Sequence, residues 1–119
     1  MQWFRSLLAC ALLAVAGLPC AAARADDYPP RVIHVIVGFA AGGGNDLFAR
    51  LVVQKVEENT GIKMVIENRP GAGGRLAAEY VAHQPADGYT IMVAASGAMS
   101  ISAAIYPNLP YHPTKTFVP

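Results

Sequence analysis

The chain has 119 residues, of which 54% are hydrophobic and 14% charged, with a formal net charge of +1. That length suits one small domain, and a charge this close to zero offers no basic surface for nucleic acid. His34, His83 and His112 are far apart in sequence and form no i,i+4 pair, so neither a metal centre nor a cofactor is expected.

Residues 1–25 read as a secretory signal peptide. Arg5 supplies a basic start, residues 7–18 are an unbroken apolar or small run, and Ala23-Arg24-Ala25 supplies an A-x-A cleavage pattern. The run is too short to span a bilayer, which takes about 20 residues. A lipoprotein cut before Cys10 would leave almost no hydrophobic region, and Gly17-Leu18-Pro19 is a poor match before Cys20. Cleavage near Ala25 would remove both cysteines. Residues 26–119 then hold seven basic and eight acidic side chains, a net of −1.

Residues 26–31 are polar, carry Pro29-Pro30 and read as an exposed leader. Residues 32–39 form a near-continuous apolar run rich in β-branched side chains, as in a strand covered on both faces of a parallel sheet. His34 is its one polar residue, expected at a strand edge or satisfied in the core. Gly42, Gly43 and Gly44 follow, then Asn45 as expected cap and Asp46 in the first turn of a helix. The helical period puts Leu47, Phe48, Leu51, Val52 and Val56 on one face and predicts that this face is buried. Gly61 stops the helix.

Residues 63–68 predict a second strand and residues 69–74 a second glycine loop. Residues 75–83 then predict a helix offering Leu76, Ala77, Tyr80 and Val81 for burial. Residues 85–88 read as a turn, residues 90–95 as a third strand, and residues 98–105 as a short helix after Ser96-Gly97. The tail, with Pro107, Pro110 and Pro113, is expected to run extended over the surface. The order β-α-β-α-β-α predicts an α/β fold with an open parallel sheet. Its three β→α loops, residues 40–45, 69–74 and 95–98, would then share the carboxyl edge, where such sheets bind ligands.

The chemistry narrows by elimination. A phosphate loop aligned on Gly38 and Gly43 has Gly44 and Asn45 in place of its lysine and hydroxyl. Dinucleotide fingerprints begun at Gly42 or Gly71 reach Leu47 or Leu76 where the last glycine belongs. Ser96 stands between strand and helix like a nucleophile, but Ala94 and Ala98 replace the flanking glycines of that elbow, and a helix-capping or ligand-contact role suits it better. What fits is non-covalent anion recognition by backbone amides at a helix start. Asp46 would either serve the helix dipole, bind a ligand amine, or hold waters and loop donors in place.

Four blocks, VIVGFAAGGGNDLFARLV, VIENRPGAGG, AEYVAHQPADGYTIMVAASG and IYPNLPYHPTKTF, come in the order and spacing of one family. The chain resembles the Bug family, the TctC-type substrate-binding receptors of tripartite tricarboxylate transporters. The resemblance implies a non-enzymatic, exported periplasmic receptor with a two-lobed, hinged fold, monomeric when complete, that binds a small di- or tricarboxylate and delivers it to membrane permease subunits. Carried over residue by residue, it assigns ligand contact to Phe39, Ala40, Gly42, Gly43, Gly44 and Asp46 in the first loop, Ala72 and Gly73 in the second, and Ser96 and Gly97 in the third. Ala41, Asn45 and Arg75 depart from the family's usual proline, threonine or serine, and asparagine. Arg75 is expected to point into solvent. The resemblance makes residues 26–119 part of the first lobe, with the second lobe absent and a truncated product expected. An exported α/β hydrolase fragment with Ser96 as nucleophile, or a non-functional remnant, are the alternatives.

Overall fold

The computed structural model describes residues 31–118. The expected signal peptide and the leader through Pro30 lie outside them. Strand β1 (Ile33–Val37) leads to helix α1 (Gly44–Thr60), strand β2 (Met64–Asn68), a one-turn 3-10 segment (Ala72–Gly74), helix α2 (Arg75–Ala82) and strand β3 (Thr90–Val93). A π-helical turn (Gly97–Ile101) then runs into the short helix α3 (Ser102–Ile105).

The sheet is parallel, in the order β2-β1-β3. Val35 lies opposite Ile66 on one side and Ile91 on the other. Placing the first strand between its two successors requires the crossovers to run in opposite directions. With both right-handed, α1 and α2 fall on opposite faces. α1 packs on β1 and β2, and α2 on β1 and β3. The central strand is therefore the one covered twice, and Ile33, Val35, Ile36 and Val37 are all buried. A Cβ on Gly38 would stand 2.9 Å from Gly74 Cα, so the absent side chain is what lets the start of α2 seat against the sheet.

α1 does not bury the face that its helical period suggests. Asp46, Ala49 and Val53 turn inward, while Leu47, Phe48 and Leu51 are 59–61% exposed and Val52 is exposed too. A small side chain at Ala49 allows helix and sheet to approach closely, and the bulky residues one step round the helix are left outside. The cap differs as well. Gly43 is the N-cap, with no side-chain cap hydrogen bond, and Asn45 already lies inside the first turn. Gly61 does end the helix in the left-handed conformation, its N–H bonding to Glu57 O.

α2 likewise buries its small residues, Ala77 and Ala78, and leaves Leu76 exposed, against the burial expected for it. The tail does not lie extended on the surface. It folds back so that Tyr111 is buried with Ala78 and Ala98, with Leu109 and Phe117 packed against them. The Tyr111 and Phe117 rings meet edge to face at 5.7 Å. His34 is exposed near the start of the central strand, where its Nδ1 lies 2.6 Å from Glu67 Oε1. That histidine, and then the Arg69 guanidinium, hold the Glu67 carboxyl below its ordinary range against the opposing effect of burial. Among the described residues, no helix is long and apolar enough to cross a membrane.

Candidate functional site

The first β→α loop is closed by hydrogen bonds within the chain. Gly43 N–H donates to Ala40 O, and Leu47 N–H makes the first helical bond, to Gly43 O. Asp46, only 1% exposed, reaches back so that its Oδ2 accepts the Gly42 N–H at 2.8 Å. The same oxygen accepts Arg50 Nε at 2.8 Å, one helical turn on. Its Oδ1 accepts Asn68 Nδ2 at 2.9 Å, and that amide also donates to Phe39 O at 3.0 Å. The Arg50 bond first, then those from Gly42 and Asn68, hold the Asp46 carboxyl well below the usual carboxylate range despite burial.

Two consequences follow for an anion. The Asp46 charge is buried and compensated by Arg50. The amides of Gly42 and Gly43 are spent inside the loop, so neither is a free donor. The first amides of α1, at Gly44, Asn45 and Asp46, precede the first helical bond. The positive end of the helix dipole adds to them.

The second loop is a run of left-handed backbone: φ is 143° at Gly71, 48° at Ala72, 66° at Gly73 and 90° at Gly74. Gly74 N–H closes it on Gly71 O at 2.9 Å. Three glycines make this run possible, and Ala72 is the one residue with a side chain that adopts it. The third loop is the π-helical turn. Ser96 already has helical angles and its side chain makes no cap bond, so of the two roles expected for it, capping and ligand contact, the structure does not show the first. Two side chains from later in the chain fix this turn instead: Ser102 Oγ donates to Gly97 O at 2.6 Å and Tyr111 OH to Ala98 O at 2.6 Å.

The three loops meet. A Cβ on Gly74 would lie 3.5 Å from both the Phe39 ring and the Ala98 side chain, and one on Gly97 would lie 3.4 Å from Gly73 O. Phe39, Gly73, Gly74, Gly97 and Ala98 thus form one junction at the carboxyl edge of the sheet, with Gly44 and Asn45 at the start of α1 beyond it. Arg75, the next residue, does not extend into solvent: its guanidinium stacks 3.9 Å over the Tyr106 ring. It lines a small pocket of about 210 Å³ with Ala72, Glu79, Tyr106 and Asn108. A larger groove of about 770 Å³ lies between the π-turn and the tail, and none of its lining residues belongs to the three-loop junction.

Ser96 is not brought to a base. His83 Nδ1 bonds to Glu79 O and His112 Nδ1 lies 3.3 Å from Thr114, so no histidine bonds to the serine among the described residues. No group of His, Cys, Asp and Glu suited to a metal ion occurs among those residues either. Asn68, Arg50, Ser102 and Tyr111 were not marked as site residues from sequence. Asn68 alone carries a positional signal, standing where a strand of a parallel sheet enters a ligand-side loop.

A profile described as "Tripartite tricarboxylate transporter family receptor" matches residues 48–119. The chain belongs to this receptor family. It is 36% identical over 115 residues to protein BugT of Bordetella pertussis, covering 91% of this chain and 35% of that one. It resembles the solved structure of MatC from Rhodopseudomonas palustris with bound malate, at 42% identity and a TM-score of 0.72 over 77% of this chain and 31% of that one. An R. palustris protein solved with adipate gives 39% identity and a TM-score of 0.68, over 73% and 29%. The receptor chain therefore has the α/β architecture of these binding proteins, and it spans about a third of the length of the curated relatives it matches.

Proposed function

We propose that this receptor chain supplies one wall of a binding cleft for a small dicarboxylate in the periplasm, for hand-over to the membrane subunits of a tripartite tricarboxylate transporter. The observation that carries the reading is the meeting of three β→α loops at one sheet edge, the edge at which α1 also starts with its first amides ahead of the first helical bond. A carboxylate there would accept from Gly44 and Asn45 N–H, aided by the helix dipole. Phe39 and Ala40 would shape the wall, and Ala72, Gly73, Ser96 and Gly97 would close its other side. Gly42, Gly43 and Asp46 serve in this reading as the scaffold of the loop. The malate and adipate carried by the two similar R. palustris structures support a dicarboxylate. Residues 1–25 would be the export signal and residues 26–119 part of the first lobe.

The test is calorimetric titration of the receptor chain with malate and adipate, beside an R. palustris MatC in which residues 31–118 of this chain replace the matching segment. The hybrid is expected to bind one of the two dicarboxylates. A folded hybrid that binds neither would overturn the proposal. Export is tested separately, by N-terminal sequencing of periplasmic protein, which should begin near Asp26.

A further inference from the structure

We propose that Asn68 is a positioning residue of the anion site, setting the conformation in which residues 39–46 present the first amides of α1. This rests on the receptor reading above. Asn68 is the last residue of β2, 22 positions from Asp46 and 29 from Phe39. Its one carboxamide nitrogen donates to both, to Phe39 O at 3.0 Å and to Asp46 Oδ1 at 2.9 Å. Phe39 O lies at the entry of the loop and Asp46 in the first turn of the helix that leaves it. The nitrogen therefore pins both ends of the loop to a strand that is itself held in register against β1.

The pin is transmitted inward. With Oδ1 held by Asn68, the Asp46 carboxylate turns Oδ2 to the Gly42 N–H and to Arg50. Gly42 has a φ of 81°, and the bond from its amide to Asp46 keeps the glycine run in that one conformation. The chain Phe39–Asn68–Asp46–Gly42 fixes where the loop stops and α1 starts, and so where Gly44 and Asn45 point. Three successive glycines have no side chains to do this themselves, and without the brace the loop would lose its order each time a ligand left.

The chemistry is specific to a donor pair. Alanine at 68 removes both bonds. Aspartate has the same shape but, ionised, sets a second carboxylate against Asp46, and the mutual repulsion raises the affinity of the pair for a proton. Protonated, it regains one donor.

The experiment measures malate and adipate binding, in the receptor chain and in the MatC hybrid, for wild type, Asn68→Ala and Asn68→Asp from pH 8 to pH 5. It also follows amide hydrogen exchange at Gly42 and in β1. Asn68→Ala should weaken binding by about tenfold or more and speed Gly42 exchange by a similar factor, with β1 amides unchanged. Asn68→Asp should bind weakly at pH 8 and recover toward wild type as the pH falls, taken as a ratio to wild type at each pH so that ligand protonation cancels. A role in packing alone would give no such recovery. Wild-type affinity in Asn68→Ala, or a flat ratio in Asn68→Asp, would overturn the proposal. If wild type binds neither acid, the receptor reading fails, and exchange decides the brace: faster exchange at Gly42 in Asn68→Ala upholds it, and unchanged exchange removes it.

Discussion

At the residue scale, Asp46 shows how a charge is kept in a buried position. Its two oxygens accept three bonds, from Arg50, Gly42 and Asn68, and all three favour the ionised form. A carboxyl whose folded pKa lies below its unfolded value contributes stability that is fully present above the unfolded value, about 3.9 for aspartate, and is lost as the pH falls through the folded one. The melting temperature of the receptor chain should therefore drop below about pH 4, and Asp46→Asn should shrink that drop while lowering stability at pH 7. An Asp46→Asn protein that melts with the wild-type acid dependence would count against the network. From sequence, Asp46 was open among three roles. An acid in the first turn of a helix announces its dipole position, but its bonds to Gly42 and to Asn68 depend on a loop and a strand that only the folded chain brings to it.

At the scale of the element, the strands and helices were legible because their cues are local. β-branched runs mark β1 and β2, and the glycine at position 61 marks the end of α1. The orientation of α1 was not legible. A 3.6-residue period identifies an apolar face but does not say that it is the face that packs. Here the sheet takes the stripe of Asp46, Ala49 and Val53, since a buried, fully bonded aspartate and a small alanine fit where Leu47 and Phe48 would hold the helix off. The tail misled for a related reason. Its prolines suggest an extended path, whereas Tyr111 OH donates to the Ala98 carbonyl of the π-helical turn, a partner that no periodicity reveals. Burial raises the Tyr111 pKa above its ordinary value. Tyr111→Phe leaves the ring and removes the buried hydrogen bond to Ala98 O. It should cost about 1–2 kcal/mol in urea unfolding, with faster hydrogen exchange confined to residues 97–102. No loss of stability would mean that the ring alone holds the tail.

At the scale of the whole molecule, the described residues leave much apolar surface in water. Leu47, Phe48, Leu51 and Val52 form one continuous stripe on α1, and Val65 and Ile91 are exposed on the two outer strands. Among the described residues those strands flank β1 in a sheet of three, so each also has an edge with no described strand beside it. Apolar stripes and open sheet edges both attract other chains. The receptor chain by itself should therefore associate as its concentration rises, and the α1 stripe should carry a large part of that tendency. Phe48→Glu with Leu51→Lys tests the point. The two positions are one helical turn apart on the exposed side, so the pair can form an i,i+3 ion pair, and the acid falls near the N-terminus, where the helix dipole favours it. Both side chains are exposed and neither takes part in the Asp46 hydrogen bonds, so the fold should be retained. Sedimentation velocity over a hundredfold range of concentration should show the wild type shifting to larger species and the double variant shifting less. Equal association by the two proteins would move the interaction from α1 to the edges of β2 and β3, where a lysine at Val65 or Ile91 would be the next substitution to weaken it.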